Sequence, residues 1–99
     1  MLYLITIENS RLIKVGYTNN LKNRLKAYNG LPVRLLDVIE GNQADEKMFH
    51  FFLEYLGCET TVNYNNNETE WKIIPKGVKT KLFYENGFQA FQKLYKKRK

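Results

Sequence analysis

Two short apolar runs separated by a polar break constrain this chain more than any other feature. Leu2–Ile7 (LYLITI) alternates weakly and is rich in Ile, Leu and Tyr, and Leu12–Thr18 (LIKVGYT) has the same character. Glu8-Asn9-Ser10-Arg11 between them is built from turn formers, so the segment predicts a β-hairpin. Thr18 or Asn19 then caps a helix whose Leu21, Leu25 and Tyr28 fall on one apolar stripe, and Gly30 and Pro32 end it. Val33–Glu40 predicts a third strand. Asn42 caps a second helix over 43–56 with Phe49, Phe52 and Leu56 inward, stopped by Gly57. Glu59 to Glu68 is polar except for Val62 and Tyr64, and Asn65-Asn66-Asn67 predicts a flexible loop. Trp71–Ile74 predicts a short edge strand. A helical C-terminal region begins at Pro75, breaks at Asn86-Gly87, and packs through Phe88, Phe91 and Leu94. The order β-β-α-β-α-(β)-α predicts an α+β fold: a small, mainly antiparallel three-stranded sheet flanked by helices. Residues 1–75 form the core and 76–99 a helical extension of the same domain.

Ninety-nine residues allow one domain, and 43% hydrophobic content with six Phe and seven Tyr is enough for a packed core. A lone Cys58 permits no internal disulfide. No apolar run approaches the roughly 20 residues of a membrane span, and the N-terminus lacks the pattern of a signal peptide. These features predict a soluble cytoplasmic protein. The net charge of +6 is unevenly spread. Six bases (Arg11, Lys14, Lys22, Arg24, Lys26, Arg34) face one acid before residue 36, whereas eight of the ten acids fall between Asp37 and Glu70. The chain closes on Lys96, Lys97, Arg98 and Lys99. Clustered cations of this kind predict a polyanion partner, through phosphate neutralisation and counterion release; the bland alternative is a solubilising surface.

Several side chains suit phosphate chemistry. Arg24 lies off the apolar stripe of its helix, and a guanidinium offers two parallel donors to phosphate oxygens. Gly16 within a strand invites a bulge or the close approach of a ligand. Lys14 alternates with Ile13 and Val15, so it faces away from whatever core they face. There it holds phosphate as a point charge or, with a lowered pKa, acts as a base. Glu46 and His50 are one helical turn apart and neighbours on one face. His50, the only histidine, contacts phosphate, serves as an acid, or simply pairs with Glu46 or Glu54 on the helix surface.

The joint spacing of Tyr3, Lys14, Gly16 and Arg24 resembles the GIY-YIG endonuclease module. Met1-Leu2-Tyr3 stands at GIY, Lys14-Val15-Gly16 at YIG and Arg24 at the family's helical arginine. Met1 replaces the first Gly, and Lys14 replaces the Tyr of YIG. The lysine form is similar to a small phage and bacterial branch of that superfamily, which also carries Glu with His one turn later, as at Glu46 and His50. Glu70-Trp71 resembles the branch's Glu-Trp-Phe signature, with Lys72 at the Phe. The resemblance covers residues 1–71. It implies a DNA phosphodiesterase encoded by a phage or mobile element, acting on double-stranded DNA with Mg²⁺ or another divalent cation.

In that scheme Glu46 holds the metal, Arg24 and Lys14 hold the phosphate, and Tyr3 positions or deprotonates the attacking water. Tyr28 stands where several members carry a histidine, Glu70 orients Arg24, and Gly16, Lys22, Lys26 and the basic tail line the nucleic acid. With no appended recognition domain, sequence specificity requires a homodimer or partner protein. The competing reading is a catalytically weak or silent scaffold that binds nucleic acid or protein, in keeping with the missing glycine and tyrosine.

Overall fold

Alternation in the first two strands decides how the molecule is layered. In the computed structural model, which describes residues 1–28, 30–60 and 71–98, β1 (Leu2–Ile7) pairs antiparallel with β2 (Leu12–Tyr17). β1 also pairs antiparallel with β3 (Val33–Ile39) on its other side. β1 is buried on both faces, because an apolar cluster packs on each side of it. Leu2, Leu4, Ile13 and Val15 join one apolar cluster; Tyr3, Ile5 and Ile7 join a second with Tyr28 and Trp71. The Glu8–Arg11 turn forms as expected, with Asn9 at a positive φ of 60°.

Among the described residues the sheet has five strands rather than three. β4 (Glu59–Thr60) and β5 (Lys72–Ile73) add two residues each, giving the order β3-β1-β2-β5-β4 with every pairing antiparallel. The strand expected at the edge therefore lies inside, between β2 and β4. The polar composition of residues 59–60 hid its neighbour. Val62, Tyr64, the asparagine run and Glu70 lie outside the described residues.

Asn20, not Thr18 or Asn19, caps α1 (Leu21–Lys26), because Thr18 instead uses its hydroxyl to accept from the Asn20 backbone N–H. α1 is one turn shorter than its stripe suggested, and Tyr28 sits just beyond it, still buried. α2 (Gln43–Tyr55) starts on Asn42 with a full capping box: Asn42 Oδ1 accepts from Asp45 N, and Asp45 Oδ2 from Asn42 N. Leu53 is its buried residue and Leu56, its C-cap, is buried too, with Phe49 and Phe52 half-buried against the same cluster.

The C-terminal region begins later than Pro75. A turn closed by Val78 N to Pro75 O precedes α3 (Thr80–Asn86), and Gly87 (φ 58°) leads into α4 (Gln89–Arg98). Phe83, Phe88, Phe91 and Leu94 complete the cluster begun by Leu2 and Leu4, so α2, α3 and α4 cover one face of the sheet. The Cα radius of gyration, 12.7 Å, matches the roughly 13 Å of a compact 100-residue domain. Among the described residues no helix is long and apolar enough to cross a membrane.

Candidate functional site

Gly16 organises the site. It pairs with Tyr3 across the hairpin, and a Cβ built on it would lie 2.2 Å from both Cζ and the hydroxyl of Tyr3. The space left by the missing side chain holds the Tyr3 ring, which lies across β2. What approaches the Gly16 backbone is thus a ring of the protein itself.

At the far end of that ring the Tyr3 hydroxyl is 3.3 Å from that of Tyr28. Tyr28 meets Trp71 edge-on at 5.8 Å, and Lys14 Nζ stands 5.9 Å from the Tyr28 ring centroid. As alternation required, Lys14 lies on the sheet face opposite Ile13 and Val15. It is 8% exposed, with its cation against an aromatic face. Burial raises the pKa of both phenols, so both remain protonated donors at neutral pH. The Tyr28 hydroxyl bond and the Arg24 charge pull the Tyr3 value back down, while the Glu46 charge pushes it up. Side chains from α1 and α2 therefore lie within electrostatic reach of one buried hydroxyl.

Arg24 is exposed on α1 with Lys22 and Lys26. From the other side α2 brings Glu46 and His50, whose Oε1 and Nε2 are 3.6 Å apart. His50 Nε2 also lies 2.9 Å from the Val15 carbonyl. A carbonyl only accepts, so Nε2 carries a hydrogen and Nδ1 points away from this bond. Among the described residues β5 pairs with Leu12 and Ile13 of β2 and not with Val15. His50 thereby pins α2 to the middle residue of the Lys14-Val15-Gly16 triplet.

Tyr3, Lys14, Gly16 and Tyr28 are thus packed together, His50 reaches the adjoining Val15, and Arg24 and Glu46 lie within electrostatic reach of Tyr3. Glu70 and Lys99 lie outside the described residues. Lys96 is exposed on α4, and Lys97 and Arg98 continue that helix. Among the described residues no three His, Cys, Asp or Glu side chains come together as a metal cage. A single half-exposed carboxylate at Glu46 fits Mg²⁺, which keeps most of its water and takes phosphate oxygens as further ligands.

Three cations elsewhere in the fold carry roles the sequence did not announce. Lys72, 2% exposed, donates to the Thr60 hydroxyl at 2.6 Å and stands 3.5 Å from Glu54. Arg11 ties the start of β2 to the carbonyls of Ile74, Pro75 and Val78. Arg34 stacks over Tyr84. The only signal for the first was a lysine inside an apolar strand; the other two looked like surface cations. Comparison with protein-family models, with curated proteins and with solved structures finds no match.

Proposed function

We propose that this protein is a small GIY-YIG-type endonuclease that hydrolyses DNA phosphodiester bonds with Mg²⁺. The observation that carries the reading is the Tyr3 phenol laid across β2 over Gly16, with Lys14 beside its partner Tyr28. A cation on α1 and a carboxylate on α2 both act on the hydroxyl of one tyrosine, which a glycine admits across the neighbouring strand. That set suits phosphodiester hydrolysis: cations for the phosphate, a carboxylate for a metal, and a group to place water.

Arg24, exposed and permanently charged, binds two phosphate oxygens. Lys14, held against Tyr28, adds a point charge from the sheet. Tyr3 is a neutral phenol with a raised pKa, so it orients water by hydrogen bonding instead of removing its proton as a phenolate. His50, with Nε2–H directed to Val15, offers Nδ1 as the acceptor for that proton. Glu46 would hold Mg²⁺, which supplies charge neutralisation on the phosphate.

The second reading, a binding module without cleavage, is favoured by Tyr3 being 2% exposed and engaged with Tyr28. Supercoiled plasmid separates the two. The nuclease reading expects nicking in Mg²⁺ that stops on adding EDTA and falls on the order of 10²-fold or more in Arg24→Ala. Because Arg24 is exposed, the variant should melt like the wild type. Salt-sensitive binding with no nicking would leave only the binding module.

A further inference from the structure

α2 carries a second set of side chains next to the proposed catalytic groups. Lys47, Phe51 and Glu54 join Glu46, His50 and Lys72 around a recess of about 250 Å³. Phe51 is 72% exposed there, although Leu53 two residues on is fully buried. Single exposed apolar residues are common, but this one stands over a recess that shares Glu46 and His50 with the site beside it. Lys72 is fixed before any ligand arrives, held by Thr60 and Glu54.

The lining decides what the recess suits. Two cations, Lys47 and Lys72, are offset by two carboxylates, Glu46 and Glu54, so it is not built for a run of phosphates. It offers a bare aromatic face and both donors and acceptors at the rim. A flat ring with hydrogen-bonding edges, such as a nucleobase, matches that chemistry. The volume lies just under the roughly 300–1,000 Å³ of drug-sized sites, which suits one base and not a base pair. A base stacked and paired within duplex DNA cannot enter such a recess without first leaving the helix.

We infer that the Phe51 recess takes the base of an unpaired nucleotide adjoining the scissile phosphate, so that the substrate carries a single-stranded segment at the cleavage point. The word scissile rests on the nuclease reading; the recognition of an unpaired base does not. Phe51 supplies the stacking face, exposed Lys47 a donor, and Glu54 an acceptor for an exocyclic amine, while buried Lys72 forms the floor. His50, shared by both sites, sets the adjoining phosphate toward the Tyr3 end of the sheet.

Fluorescence anisotropy in EDTA, at one fixed low salt concentration, tests the inference without any cleavage. The probes are a labelled single strand, a duplex with a single-stranded overhang, and a blunt duplex. Wild type is expected to bind the first two more tightly than the blunt duplex. Phe51→Ala should weaken those two by about 5- to 150-fold, the worth of one stacked base, and leave the blunt duplex unchanged. Phe51→Trp should restore them. Phe51 is so exposed that truncation should not alter the thermal melt, which is recorded alongside. Equal single-strand affinity in wild type and Phe51→Ala, a preference for the blunt duplex, or no binding to any probe overturns the inference. Phe51-dependent binding by a protein that never nicks DNA would instead overturn the nuclease reading and leave the recess standing.

Discussion

Tyr3 is the residue on which the site turns, and its environment makes a prediction about alkali. Burial raises the pKa of Tyr3 and, further, of Tyr28. A phenol with a folded pKa above its unfolded value keeps its proton in the native state while the unfolded chain loses one. Its contribution to stability is therefore constant below about pH 10 and is lost as pH rises beyond it. Alkaline titration by tyrosinate absorbance and far-UV circular dichroism is expected to show two phenols ionising only as helical signal disappears. Tyr3→Phe and Tyr28→Phe should each remove one of these linked ionisations. If both phenols ionise near pH 10 in a protein that keeps its helices, the buried pair is wrong. At this scale the sequence was partly readable. The direction of Lys14 followed from strand alternation, and the Glu46–His50 pairing from helical spacing. The bond from His50 to Val15 was not readable, because it joins residues 35 apart and depends on how α2 docks on the sheet.

Among the elements, β3 and α4 are joined in a way that gives Asp37 a structural purpose. A register shift in the β1–β3 pairing falls between Leu4 and Ile5, opposite Asp37 and Leu35. Asp37 Oδ2 accepts from the backbone N–H of Phe88 at 2.9 Å, just before α4, and Oδ1 from Val38 N at 2.8 Å. Gly87 leaves room for it, since a Cβ there would come within 2.3 Å of Oδ2. Asp37→Ala should cost about 1–2 kcal/mol, as for a lost helix cap, and leave the Tyr3 end of the sheet unaffected. Urea unfolding measures it; a midpoint equal to wild type would show that α4 needs no such tie. The long elements were legible from local pattern: β1, β2, β3 and α2 lie within a residue or so of their expected bounds, and Asn42 carries its own cap. The short ones were not. Two-residue strands have no periodicity to read, and β5 is set by its partners β2 and β4 instead of by its own residues.

Across the whole molecule, the basic charge that suggested a polyanion partner divides into two kinds. Arg11 and Arg34 are engaged within the fold, by backbone carbonyls and by the Tyr84 ring. Lys22, Arg24 and Lys26 are exposed on α1, and Lys96 on α4. Composition counts all of these alike, so only packing separates them. If the C-terminal cations meet DNA, deleting Lys96 to Lys99 should weaken binding about equally for all sequences. It should also flatten the salt dependence by a slope of up to roughly 3–4, with little effect on turnover at saturating substrate. An unchanged slope would make them a solubilising surface. The central claim is that α1 and α2 assemble a metal-dependent phosphodiesterase around Tyr3, and Glu46→Gln tests it most directly. The substitution keeps size and helix packing but removes the negative charge offered to Mg²⁺. Measured side by side on supercoiled plasmid, cleavage should fall to background while DNA affinity stays level or rises, because a carboxylate no longer repels the phosphates. A wild-type protein that nicks DNA and a Glu46→Gln variant that nicks it equally well would contradict the claim.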